Sequence, residues 1–103
     1  MPSENFRDVY ERHVGHVVAG DMKAAVADMV PENVPAVFEG VTVPSGQVSG
    51  ADIRSARTEG ERAIGDAVYQ TPDGEIGLRS IWIERDGRWL AAELENFSPE
   101  AHA

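Results

Sequence analysis

The chain has no cysteine, which excludes disulfides, thiolate nucleophiles and thiolate metal sites. It has no apolar run long enough to span a bilayer, and its start, MPSENFRD, lacks a signal-peptide pattern. A cytoplasmic location with no membrane partner is therefore expected. Basic residues are scarce: 9 Lys and Arg stand against 18 Asp and Glu, a net charge of −9. Phosphate backbones are bound by clusters of Lys and Arg, so no nucleic-acid partner is expected. The surplus negative charge reads as solubility. At 103 residues, the chain suits one domain, 1–103, with a modest core. No internal repeat or linker divides it.

What is present is concentrated between Gly60 and Phe97, around ERAIGDAVYQTPDGEIGLRSIWIERDGRWLAAELENF. Asp86-Gly87 separates two β-rich runs and is a favoured pair for a two-residue hairpin turn, whose central positions need positive φ. That turn pairs Arg85 with Arg88, Ile83 with Leu90, Ile81 with Ala92 and Arg79 with Leu94. Upstream, Thr71-Pro72-Asp73-Gly74 reads as a three-residue loop with glycine in the left-handed position. It pairs Thr71 with Glu75, Tyr69 with Gly77 and Ala67 with Arg79. One face then carries Gly65, Ala67, Tyr69, Arg79, Ile81, Ile83, Leu90, Ala92, Leu94 and Asn96. The other carries Ile64, Asp66, Val68, Leu78, Ser80, Trp82, Trp89, Ala91, Glu93 and Glu95. A slip of one residue would reverse these assignments.

Ahead of the strands, Ser3 is the expected N-cap of a first helix, with Phe6, Val9, Tyr10, His13, Val14 and Val17 as its apolar stripe. Gly20 stops it and Asp21 caps a second helix through Met22, Ala25, Val26, Met29 and Val30, ended by Pro31. Val34–Val43 reads as a strand with Pro35 at its edge, and Asp52–Thr58 as another. Two helices followed by about five strands predict an α+β domain with helices packed on one sheet face.

The order AGDMKAAVADMVPENVPAVFEG, ERAIGDAVY, IERDGRWLAAELENF resembles the SnoaL-like branch of the nuclear-transport-factor-2-like superfamily, over most of the chain. The resemblance implies a curved antiparallel sheet wrapped around N-terminal helices, a cone with a pocket. It also implies isomerase, hydrolase or cyclase-type chemistry on a small polar or anionic ligand, or a non-catalytic homodimeric association or ligand-sensing module. Members carry a third helix before the later strands. Here VTVPSGQVSGADI leaves little room for it, so that helix is expected to be shortened or missing and the pocket shallow. At the last strand, where some enzymes of the family place an inward acid or arginine, this chain has Ala92, Leu94 and Asn96.

On that frame, Arg79 lies on the helix-covered face and anchors a ligand anion, with Tyr10, Tyr69 and Asn96 as further ligand-binding residues. The alternative for Arg79 is an internal ion pair with Glu39 or Asp21. His13, in the apolar stripe of the first helix, is the candidate general base, or else a satisfied core histidine. The pair His13 and His16 lacks a specified third ligand, so no metal is expected, and no cofactor motif is present. Glu93 and Glu95 read as solvated or interface charges, and Arg54 fits either sheet face. Val68, Leu78, Trp82, Trp89 and Ala91 form an outer apolar patch, the expected homodimer interface.

Overall fold

A computed structural model describes residues 5–98 apart from Pro35, 45–47 and Asp73. Helix α1 runs Phe6–Ala19 and helix α2 Met22–Ala27. Two single 3-10 turns follow, Pro31–Asn33 and Ala36–Phe38. Then come four strands, β1 Gly50–Glu59, β2 Arg62–Thr71, β3 Gly74–Arg85 and β4 Arg88–Phe97, paired antiparallel in the order β1-β2-β3-β4. The domain is α+β with a curved sheet, as its pattern of elements requires.

The helix N-cap is Asn5, whose Oδ1 accepts the Arg7 N–H at 2.8 Å; the expected cap, Ser3, lies outside the described residues. Gly20 ends α1 in the left-handed conformation, φ 78°, and Asp21 caps α2 by accepting the Ala24 N–H. Helix α2 is shorter than its apolar stripe suggests. It stops at Ala27 because the next residues join the sheet: Ala91 N–H donates to Asp28 O at 2.8 Å, and Val30 N–H donates to Ala91 O at 2.9 Å. The strand expected over Val34–Val43 is absent among its described residues, where the 3-10 turn Ala36–Phe38 stands instead. No described residue forms a third α-helix.

The turn at Asp86-Gly87 forms as expected, with φ 53° and 80° and Arg85 opposite Arg88. Two one-residue departures then change which side chains share a face. Thr71 pairs directly with Gly74, its hydroxyl donating to Gly74 O at 2.7 Å, so Ala67 faces Leu78 and Asp66 faces Arg79. In β4, a bulge at Ala92 makes Trp82 face Ala91 and Arg79 face Glu95. Asn33 Nδ2 donates to the carbonyl of the bulged Ala92 at 2.9 Å, satisfying an acceptor the ladder leaves out.

The face under the helices therefore carries Ala63, Ala67, Tyr69, Leu78, Ser80, Trp82, Trp89 and Ala91. Its apolar members form one core cluster with Phe6, Val9, Tyr10, Val14, Val17, Ala25 and Met29. Phe6 meets Trp82 and Trp89 edge-on at 5.6 and 5.5 Å between ring centroids. Gly65 is needed on this face: a Cβ there would lie 2.5 Å from the Tyr10 ring. Asp66, Arg79, Ile81, Ile83 and Glu95 lie on the opposite, outer face. The free edge, β1, is broken by a bulge between Ile53 and Ser55 and carries Asp52, Arg54, Arg57 and Glu59, devices that discourage edge-to-edge pairing. Arg54 sits at that bulge, paired with Asp52 at 2.6 Å.

Candidate functional site

A cavity lies between the helices and the inner sheet face. Its lining is mostly apolar, from Val17, Met22, Ala25, Val26, Met29, Phe38, Val43, Pro44, Leu78 and Leu94. Among the described residues, four polar side chains share it: Tyr10, His13, Tyr69 and Ser80. It holds about 30 Å³, room for one water-sized group. Met22 and Val26 on its lining remain partly exposed.

His13 is placed by α1, three residues on from Tyr10 along the buried stripe. Its ring meets Trp82 edge-on at 5.1 Å, and its Nδ1 lies 3.1 Å from Asp28 Oδ2. The carboxylate is acceptor-only, so Nδ1 carries a proton and donates; in the neutral ring the lone pair is then on Nε2. Asp28 is held by the bulged edge of β4, through the two bonds between residues 28–30 and Ala91. Arg88 Nη2 approaches the other carboxylate oxygen at 4.0 Å. The sequence reading missed Asp28. It falls 15 positions from His13, and its place depends on α2 ending early and on a bulge that no local motif marks.

Tyr10 and Tyr69 are each 2% exposed, and burial pushes both phenols far above the ordinary tyrosine range. For Tyr10 the proximity of Tyr69 adds to the rise, and the neighbouring Ser80 hydroxyl offsets part of it. Ser80 Oγ already accepts the Trp82 indole N–H at 2.8 Å. The Tyr69 hydroxyl bonds to no described residue, and it opens on the cavity rather than being sealed in the core. Among the described buried side chains, the one orphaned polar atom is Trp89 Nε1, away from the cavity lining. No three His, Asp or Glu side chains gather as a metal site among the described residues.

Of the expected site residues, the structure brings Tyr10, His13 and Tyr69 together and leaves Arg79 and Asn96 out; of their expected face-mates, Leu94 lines the cavity and Ile81 does not. Arg79 is on the outer face. Its Nε and Nη2 bond the two carboxylate oxygens of Asp66 at 2.8 and 3.3 Å, Glu95 lies at 3.8 Å, and Phe97 lies under the guanidinium at 5.9 Å. Hydrogen bonding from Asp66 raises the Arg79 pKa further. The ion-pair alternative therefore holds with a partner the sequence reading did not name; Glu39 and Asp21 are elsewhere. Asn96 is structural: its Oδ1 accepts Thr42 N–H at 2.7 Å and its Nδ2 donates to Thr42 O and Gly77 O at 2.8 and 3.0 Å.

The expected dimer patch is corrected in the same way. Leu78, Trp82, Trp89 and Ala91 belong to the helix-covered core, because indoles and leucine gain most from the helices' apolar stripe. Val68 is on the outer face but fully buried. Glu93 and Glu95 share the outer face with Arg79 rather than with the tryptophans.

No protein-family model and no curated protein matches the chain. Nine solved chains match it in structure. One is an NTF-2-like protein of unknown function from Burkholderia xenovorans LB400, 16% identical, with a TM-score of 0.62 over 91% of this chain and 84% of that one. Identity that low carries the architecture alone. The two helices, the curved four-stranded antiparallel sheet and this likeness together show that the chain has the nuclear transport factor 2-like fold.

Proposed function

We propose that the chain is a small-molecule-binding domain whose chemistry is proton transfer at the cavity beneath α1 and α2, as the SnoaL-like resemblance suggests. The observation that carries this reading is the His13–Asp28 dyad, 3.1 Å from Nδ1 to Oδ2, on a cavity shared with two buried phenols. Asp28 fixes the tautomer that presents Nε2 as a base and stabilises the imidazolium formed when it accepts a proton. The proton comes from a carbon beside a carbonyl. It returns to another carbon in an isomerisation, or to a departing hydroxyl in a dehydration. A tyrosine hydroxyl donates to the carbonyl oxygen while charge builds there. Metal and cofactor are not required for either step.

The test is deuterium exchange of small enolisable ketones in D2O, followed by proton NMR. Exchange above the buffer rate is expected with wild type, with a loss of roughly a hundredfold in His13→Gln, the scale of general base catalysis, and no loss in Arg79→Met. Exchange that survives His13→Gln overturns the reading.

A second reading, a homodimeric association module, is favoured by the outer face. Ile64, Ile81, Ile83 and Phe97 are all half-buried there, and Arg57, Asp66, Arg79 and Glu95 alternate in sign across the four strands. Sheets stacked about a two-fold axis along the strands would set Arg57 against Glu95 of the partner subunit, a self-complementary arrangement. Sedimentation at micromolar concentration checks it: a dimer dispersed by Ile81→Lys is the supporting result, and a monomeric wild type sinks it.

A further inference from the structure

The cavity also selects the charge of its ligand, and this inference rests on the small-molecule reading above. Among the described residues, its lining contains no Lys or Arg. Arg79, Arg57 and Arg54 are committed to carboxylates on the outer face or free edge. Arg88 reaches only the far oxygen of Asp28 and is mostly exposed. The Asp28 carboxylate stands behind His13, 3.1 Å from its Nδ1.

The hydrogen-bonding groups complete the description. Tyr69, 2% exposed, presents a hydroxyl that bonds to no described residue. That hydroxyl opens on the cavity, where a ligand acceptor can take the place of water. His13 Nε2 presents a lone pair. Around them stand Val17, Met29, Phe38 and Leu94. We infer that the cavity takes a neutral, mainly apolar molecule with a carbonyl oxygen for the Tyr69 hydroxyl and an adjacent proton facing His13 Nε2, and that it rejects anions. A carboxylate would be desolvated among apolar side chains, with no cation to meet it and Asp28 nearby.

Entry falls at α2. Met22 and Val26 line the cavity and are still 40% and 38% exposed, the two large apolar side chains left open on the described surface. They form its rim, on a helix of only six residues. A ring-sized ligand does not fit within about 30 Å³, so binding displaces this short helix outward.

The experiment uses a matched set of one ring size: 2-cyclohexenone, cyclohexanone, cyclohexane and cyclohexanecarboxylate. Each is titrated against the full chain at pH 7.5, with methyl NMR shifts of Met22, Val26, Met29 and Leu94 as readout. The ketones are expected to bind and shift these methyls. The carboxylate is expected to bind at least about tenfold more weakly than cyclohexanone. Tyr69→Phe is expected to weaken the ketones about three- to tenfold, the worth of one hydrogen bond, and to leave cyclohexane unchanged. Because phenylalanine keeps the ring, thermal unfolding verifies that the variant is folded. Carboxylate binding equal to or tighter than ketone binding overturns the charge selection while leaving the pocket standing. So does a ketone affinity untouched by Tyr69→Phe. If no member of the set shifts the cavity methyls, the small-molecule reading itself falls.

Discussion

The two faces of one sheet solve the problem of buried polarity in opposite ways. On the outer face, Asp66 has a side chain only 4% exposed, yet its two oxygens meet Arg79 directly across the ladder. Phe97 can lie over that pair because Gly77 has no side chain; a Cβ there would lie 3.0 Å from its ring. The polarity is complete, and nothing is left over for a ligand. On the inner face, His13 is half satisfied by Asp28, and the Tyr69 hydroxyl is not satisfied by any described residue. A paired charge marks structure; an unspent donor and a bare ring nitrogen on a cavity mark a site.

The largest expected effect separates the faces through adjacent residues. Trp82→Ala removes a fully buried indole and should cost about 3–5 kcal/mol in denaturant unfolding. Ile81→Ala, one position away and on the other face, should cost only about 1 kcal/mol in the monomer. Equal costs would mean that the outer face is covered in solution. Next, Arg79→Met leaves Asp66 buried without its main partner, and about 2–3 kcal/mol should be lost. That is the low side for a buried pair, because the Arg79 side chain is 31% exposed. The double variant Asp66→Leu/Arg79→Met should recover most of it. A double variant as unstable as the single one would contradict a simple ion pair.

A smaller effect sharpens the inner face. Tyr10 and Tyr69 have pKa values raised by burial, so above pH 10 the unfolded chain loses protons that the folded chain keeps. Stability is then unaffected below pH 10 and falls above it, by about 1.4 kcal/mol per pH unit for each tyrosine. Tyr69→Phe should reduce the slope of stability against pH by one such increment. An unchanged slope in alkaline urea melts would mean that the phenol is solvated. Smallest is Asn96→Ala, which should cost about 1 kcal/mol by releasing the Thr42 backbone from β4.

Much of this was legible in the residues. The stripe from Phe6 to Val17, the Gly20-Asp21 junction and the Asp86-Gly87 turn are local signals, and each formed as its chemistry dictates. The faces were harder, because β-strand side chains alternate with a period of two. Reading Thr71–Gly74 as a three-residue loop moved β2 by one position, and the Ala92 bulge moved the far half of β4 by one more. Those two steps carried Arg79 from its partner Asp66 into an imagined pocket, and turned the tryptophans outward. Tyr10 and His13 escaped the error because a helical stripe has no such parity. Asp28 was beyond reach of any local pattern: its position is fixed by pairing with Ala91, 63 residues downstream.

The proposed chemistry requires His13 held by Asp28 through Nδ1 with Nε2 free to take a proton, and ring nitrogen-15 NMR of labelled protein at pH 8 tests this directly. The predicted result is a neutral His13 protonated at Nδ1, with that preference lost in Asp28→Asn and unchanged in Arg79→Met. A His13 protonated at Nε2, or one indifferent to Asp28→Asn, would contradict the dyad and remove the base from the proposed chemistry.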